Sequence, residues 1–287
     1  MIVLDERSID EQAIKENAIP IKYKNNYAVI QANELVRSKQ DELSLLEAKL
    51  VRLAIAQVLK DDTDLETYTC NAAKLASFLG ISRQAIYDDT LNLAQSLMKK
   101  TIFIREKTEK ETKKKNYEIL HWVDYANYKD GVITIKLSQH LKPYLIGLDE
   151  LFSSYSYEEI INLNSTYAIR LYELLVSFAN IQYREAPKFT IPNIPIERDE
   201  VIFTIEYLRE YFNCEAKYSN NADFIKRVIE TPIKDINKNT LFPCNFRVIK
   251  EGKKFAYVVF KLGTWNTLEG QMILDNFRQK IGDNNGK

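Results

Sequence analysis

The order of elements in this sequence predicts an α+β fold of two tandem winged-helix units, a pseudo-two-fold repeat of helix-turn-helix plus β-hairpin. Three observations carry that prediction. A small–glycine–apolar spacing lies between Lys74 and Lys100, a hairpin with a cationic tip comes directly behind it, and the same series returns after Ser165. On this reading residues 1–25 form an arm, 26–150 the first unit, 151–265 the second and 266–287 a tail. A chain of 287 residues suits two domains of ordinary size.

The first long helix opens at Ser44, where Ser44 and Glu47 make a capping box, and Leu46, Leu50, Leu53, Ala54 and Val58 line one face. A short strand is expected at Glu66–Cys70. In the stretch KLASFLGISRQAIYDDTLNLAQSLMKK, Ala76 permits close helix crossing and Gly80 supplies the positive φ that ends the first helix. Ile81 is expected to plug the corner, Ser82 to cap the second helix, and Ile86, Leu93 and Leu97 to bury its inner face. Arg83, Gln84 and Tyr87 are left on the outer face near the N-terminus, the end that enters a major groove. An αα-hairpin of an ordinary helical core shows the same spacing, so the segment behind it decides. Thr101–Arg105 alternates as a strand, a basic loop runs through 107–115, and Tyr117–Tyr125 returns as a second strand. The loop gives Lys110, Lys113, Lys114 and Lys115 a route to phosphate oxygens, although each alone is equally a solvated loop lysine. A turn at Lys129–Gly131 joins Tyr128 to a strand at Val132–Leu137, and Pro143 is expected to stop a short bridging helix.

The order then repeats. Ser165 caps a second long helix with Ile169, Tyr172, Leu175, Phe178 and Ile181 on its apolar face. A strand at Val201–Phe203 leads to Thr204, the cap of a helix through Phe212, and a polar turn with Tyr218, Asn220 and Asn221 comes next. The helix behind it, about Ala222 to Asn237, buries Phe224, Val228 and Ile229, with Ile225, Ile233 and Ile236 extending that face. Asp223, Lys226, Arg227 and Glu230 are left outside, and Pro232 predicts a kink or break. Arg227 can donate to guanine edges, and Asp223 can accept from cytosine or orient Arg227; their spacing of four equally suits a surface ion pair. A second hairpin, Asn245–Lys250 and Phe255–Leu262, turns at Glu251-Gly252-Lys253, and Lys217, Lys253 and Lys254 join the first loop's lysines as candidates for the DNA backbone.

Net charge is zero, but it is unevenly spread. Lys99–Lys115 holds eight basic and three acidic residues, Lys217–Lys261 ten and four, and Lys142–Glu215 six and twelve. A duplex feels the local field within roughly 10 Å, so the two positive runs matter more than the total. Cys70, Cys214 and Cys244 are too scattered for a disulfide frame or a zinc site and suit a reduced cytoplasm, and neither an apolar span for a membrane nor a signal peptide is read. No phosphate-binding glycine loop occurs; His121 and His140 stand nineteen apart without metal-ligand company, His121 reading as a packing residue beside Trp122. The expectation is a binding protein with no catalytic residue, metal or cofactor.

LSQHLKPYL at Leu137–Leu145, NLNSTYAIRLYELL at Asn162–Leu175 and DFIKRVIETPIKDIN at Asp223–Asn237 together resemble the Rep_3 family of plasmid replication initiators, as does the segment Tyr27–Gln57 with Asn33-Glu34-Leu35. The resemblance spans about Tyr27 to Leu262. It implies two winged-helix domains on successive major-groove faces of one directly repeated site, or iteron. Base contacts would come mainly from Asp223, Lys226 and Arg227, with support from Arg83, Gln84 and Tyr87. It further implies monomers on origin repeats, dimers on the protein's own operator through the first domain, and recruitment of the host's origin-melting protein and replicative helicase. Relatives often carry a more arginine-rich run where this chain has Ile225-Lys226-Arg227, so base preference does not transfer. A winged-helix transcriptional repressor without origin function would use the same residues; its target would be one inverted repeat rather than tandem direct repeats. A scaffold that uses winged helices for protein contacts predicts no salt-dependent affinity for any duplex.

Overall fold

The computed structural model describes residues 18–23, 27–105, 117–179, 194–197 and 199–262. At the centre stands α2 (Leu45–Ile55), opened by the expected capping box: the Ser44 N–H donates to Glu47 Oε2 at 2.6 Å and the Glu47 N–H to Ser44 Oγ at 3.2 Å. It is not a one-sided amphipathic helix. Every residue from Glu47 to Ile55 is buried, because strands β2 (Ala28–Ala32) and β8 (Val132–Leu137) and helices α6 (Tyr157–Asn162) and α7 (Thr166–Ala179) surround it. Ahead of α2 lie β1 (Ile19–Pro20), α1 (Asn33–Arg37) and β3 (Lys39–Gln40).

The first helix-turn-helix, α3 (Ala72–Leu79) and α4 (Arg83–Leu97), comes after β4 (Thr67–Asn71). Gly80 takes φ 67° and ψ 27°, and the Ile81 N–H reaches back to the Ala76 carbonyl at 3.0 Å, the bond that closes a left-handed C-cap. Ile86, Leu93 and Leu97 are buried as expected. Ile81 is not: it is 36% exposed, and Leu79 and Ile86 are the buried residues at the corner instead. Its N–H is committed to the cap while its side chain turns outward.

β5 (Thr101–Arg105) pairs antiparallel with β6 (Tyr117–His121), giving the first wing. The strand expected to run unbroken to Tyr125 stops at Trp122 and changes sheets. β6 belongs with β3 and β5, whereas β7 (Val123–Lys129) joins β8, β4 and β1. The fully buried Trp122 indole is the cause: its side chain fills the core, with the Arg52 guanidinium 5.1 Å from its ring, and the backbone bends to place it. His121, expected to pack, is exposed. The β7–β8 turn has positive φ at both Asp130 (52°) and Gly131 (79°), as a type I′ hairpin requires.

Pro143 opens rather than stops the bridging helix, α5 (Lys142–Leu145), since proline lacks only an N–H that a first turn leaves unused. β9 (Phe152–Ser156) then pairs with β2 over five residues, so a segment assigned to the second unit closes back on the start of the first. Likewise Ile19 and Pro20, expected in the arm, add a parallel edge to β4.

In the second unit the Ala168 N–H donates to Ser165 Oγ at 3.1 Å at the start of α7. Ile181 lies outside the described residues. β10 (Glu200–Thr204), β12 (Lys254–Leu262) and β11 (Cys244–Glu251) form a sheet in that order. Thr204 caps α8 (Ile205–Tyr211), accepting from the Tyr207 N–H at 3.0 Å. The next helix runs in three pieces: α9 (Asn221–Phe224), a π-helical stretch Ile225–Glu230, and α10 (Thr231–Asn239). Pro232 neither breaks nor ends it. Phe224, Val228, Pro232 and Ile236 are buried, as are Ile225, Ile229 and Ile233, all at spacings of four. In an α-helix each such step drifts by about 40°, so three steps would carry the stripe about 120° off the core. Underwinding to a π turn keeps it facing inward and relieves the proline ring against the Val228 carbonyl. Thr231 Oγ donates to the Lys226 carbonyl at 2.9 Å within that turn.

A buried ion pair joins α2 to α7. Arg52 of α2 donates Nε and a terminal nitrogen to the two oxygens of Glu173 on α7, at 2.9 and 2.8 Å. Tyr155 donates to the same carboxylate, as does Gln31 Nε2 at 3.3 Å. Burial alone would raise the Glu173 carboxyl, but the Arg52 charge and hydrogen bonds, with Arg170 and Tyr155, hold it below the ordinary carboxylate value.

Candidate nucleic-acid interface

The second helix-turn-helix is assembled around one side chain that sequence reasoning missed. Nine residues, 212–220, separate α8 from the next helix, and Asn213 and Tyr218 within them take positive φ (51° and 57°). The Arg209 guanidinium gathers this turn. It donates to the carbonyls of Cys214 (2.9 Å), Lys217 (2.7 Å), Tyr218 (3.0 Å) and Asn220 (3.3 Å), and to Asn221 Oδ1 at 3.1 and 3.2 Å. It also lies 4.6 Å from the Phe224 ring. Those carbonyls sit in a turn with no ladder to satisfy them, and arginine's planar fork serves several at once. Asn220 then caps the helix, accepting from the Asp223 N–H at 2.8 Å. Two asparagines ahead of an apolar stripe are a legible cap signal; nothing local marks Arg209.

From that start the helix turns Asp223, Lys226 and Arg227 outward, the latter two within the π turn. The Arg227 and Asp223 side chains approach to 3.7 Å and remain 63% and 46% exposed. An exposed pair of this kind holds little energy and leaves both groups available to a base edge. Glu230 turns away from them to pair with Lys234 at 2.6 Å.

Beside the helix, β11 and β12 form the second wing. Gly252 takes φ 61° at the first central position of its two-residue turn, and Lys253 and Lys254 are exposed at the tip. Other wing cations are already engaged: Arg247 pairs with Glu200 at 2.9 Å, and Lys261 with Glu197 at 2.7 Å. Among the described residues neither Lys253 nor Lys254 has an acidic partner. Lys217, by contrast, has an acidic partner. Its ammonium binds Glu42 of the first unit, and nearby Lys39 binds Glu215 at 2.5 Å, so these charges tie the second turn to the first unit. By spacing the lysine falls in the positive run, because the sequence does not show that a glutamate 175 residues away meets it.

In the first unit, Gln84 is exposed near the start of α4; Arg83 and Tyr87 lie on the same helix, with their side chains outside the described residues. Lys110, Lys113, Lys114 and Lys115 also lie outside them. The structure therefore exposes Asp223, Lys226 and Arg227 on a helix whose start is bonded to β12, the strand that carries Lys254 beside Lys253, and pairs Lys217 with Glu42. No described helix is long and apolar enough to cross a membrane.

Residues 28–176 match the family profile described as the first winged-helix domain of initiator replication proteins, and residues 204–262 match the second. The first match extends beyond the boundary expected at 150 to take in β9, α6 and most of α7, in keeping with the β2–β9 ladder. The chain is 26% identical over 240 residues to a replication initiation protein of Escherichia coli, an overlap of 82% of this chain and 69% of that one. Its fold resembles that of the Pi initiator protein solved in complex with iteron DNA, with a TM-score of 0.60 at 18% identity, covering 85% of this chain and all of that one. With both winged-helix domains matched in order over most of its length, the chain belongs to the Rep_3 family of replication initiators.

Proposed function

We propose that this protein initiates replication of a plasmid by binding directly repeated origin sites, with helix 221–239 reading bases and both wings on the backbone. The observation that carries the reading is the second unit's outer face. Asp223, Lys226 and Arg227 are presented from a helix whose start is rigidly held, beside a wing tip whose lysines lack acidic partners among the described residues. The Tyr211 hydroxyl of α8, which donates to the Val36 and Arg170 carbonyls of the first domain at 3.1 and 3.0 Å, supports one body spanning about two turns of duplex rather than two independently placed heads. The Pi initiator, solved on iteron DNA, supports direct repeats as the target. Arg83, Gln84 and Tyr87 supply secondary base contacts, and Lys110, Lys113, Lys114 and Lys115 the first wing's phosphate contacts. A dimer formed on the protein's own operator and contacts with host replication proteins complete the proposal.

Selection of duplexes from a random pool tests it. Enrichment of a site about two helical turns long, present upstream of the gene as tandem direct repeats, is expected. A single palindrome would make the protein a repressor, and no enrichment would remove DNA from the account. On the selected site Arg227→Ala should cost about 1–3 kcal/mol and relax preference at one base pair. An equal loss on random DNA would reassign Arg227 to phosphate. Replacing Lys113, Lys114 and Lys115 together should reduce the salt slope by roughly one unit for each phosphate no longer neutralised; an unchanged slope would place the first wing off the backbone.

A further inference from the structure

We propose that Asn221, held by Arg209, is a positioning residue that sets the second wing's lysines relative to the reading face of helix 221–239. Asn221 is the first residue of that helix, and its side-chain amide joins three elements. Oδ1 accepts from Arg209 Nε and a terminal nitrogen at 3.2 and 3.1 Å, while Nδ2 donates to the Phe255 carbonyl at 3.2 Å. Phe255 is the second residue of β12 and directly follows Lys254 and Lys253. The bond therefore grips the wing one residue from its cationic tip.

The hairpin needs such a grip at that point. Its ladder shifts register between Ile249 and Lys250, so that Lys250 pairs with Phe255 immediately below the tip. A bulge bends and twists a two-stranded ribbon, and the bend direction decides where Lys253 and Lys254 lie. On the open side Lys250 Nζ sits 4.7 Å from the Phe255 ring, and on the helix side Asn221 fixes the Phe255 carbonyl. Arg209 in turn is immobilised by four turn carbonyls, so the helix start, the turn and the wing move as one piece. An amide meets the chemistry: it accepts from a cation through oxygen and donates to a carbonyl through nitrogen, whereas alanine does neither. A wing held in place binds phosphates without the entropy of ordering it on contact.

This role rests on the reading that the helix and wing contact DNA, and a double-mutant cycle on the full-length chain separates the two claims. Affinity for the selected duplex is measured against salt for the wild type, Asn221→Ala, the pair Lys253→Ala with Lys254→Ala, and all three together. Asn221→Ala should weaken specific binding by about tenfold and lower the salt slope toward that of the wing pair. In the background lacking both lysines, Asn221→Ala should have almost no further effect. A loss of the same factor in both backgrounds, or no loss in either, overturns the positioning role. A wing pair that binds like the wild type with an unchanged slope overturns the wing contact itself, and the positioning role with it. Thermal unfolding accompanies each variant. If Asn221→Ala lowers the midpoint, Asn221→Asp, which keeps the acceptor for Arg209 and removes only the donor to the Phe255 carbonyl, runs the same cycle with the same expected coupling.

Discussion

The two helix-turn-helix corners solve one geometric problem differently. In the first, three residues separate the helices, and the backbone suffices: Gly80 enters the left-handed region and the Ile81 N–H closes on the Ala76 carbonyl. In the second, nine residues intervene, and a guanidinium from the preceding helix collects the loose carbonyls. A short corner needs a residue without a Cβ at one position, so it is written into the local sequence. A long corner needs donors brought from outside it, and those obey no local spacing. The two units differ also in the helix behind the corner, since the first is a plain α-helix and the second carries a π turn.

Both corners surround a core in which α2 and α7 meet at the Arg52–Glu173 pair, and the loss of that pair should have the largest effect. Arg52→Ala leaves Glu173 buried without its counter-ion and is expected to cost about 3–5 kcal/mol, with Trp122 fluorescence reporting the shift in denaturant midpoint. A loss near zero would mean that the buried pair does not hold α2 against α7. The same joint has an acid limb. Because the Glu173 carboxyl is held below its ordinary value, its stabilising contribution is complete above the unfolded value of about 4.3 and disappears as pH falls through the lower folded value. The stability gap between the wild type and Glu173→Gln should therefore narrow on acidification below about pH 4. A gap independent of pH would remove the ionised carboxylate from the joint.

Next in size, Arg209→Ala should cost roughly 2–3 kcal/mol and release amide-exchange protection at the start of helix 221–239, leaving α3 and α4 untouched. Protection lost equally in both corners would erase the contrast between them. The smallest effect belongs to the glycine. No heavy atom lies within 4 Å of a Cβ built on Gly80, so Gly80→Ala incurs only left-handed strain, about 1–2 kcal/mol, and Gly80→Asn should recover part of it. If alanine is tolerated without loss, the first corner is not held by backbone conformation.

Much of the fold was legible because its signals are local. The Ser44–Glu47 box, the Gly80 corner, the Asp130–Gly131 turn and the Thr204 cap each need particular residue types at fixed short spacings, and each formed. So did the outward set Asp223, Lys226 and Arg227, which is dictated by the buried stripe opposite. The stripe held a further message that an α-helical reading passes over: apolar positions at strict intervals of four ask for an underwound helix, and Pro232 agrees with it. By itself, then, the sequence determined the two winged-helix units, their order and which residues face out of the second head. Only the tertiary structure decided which cations are available there. Lys217 meets Glu42, Arg247 meets Glu200, Arg209 is consumed by a turn, and Trp122 sends one expected strand into two sheets. Each of those outcomes depends on a partner distant in the chain, and side-chain spacing carries no information about a charge or a cavity that folding alone brings near.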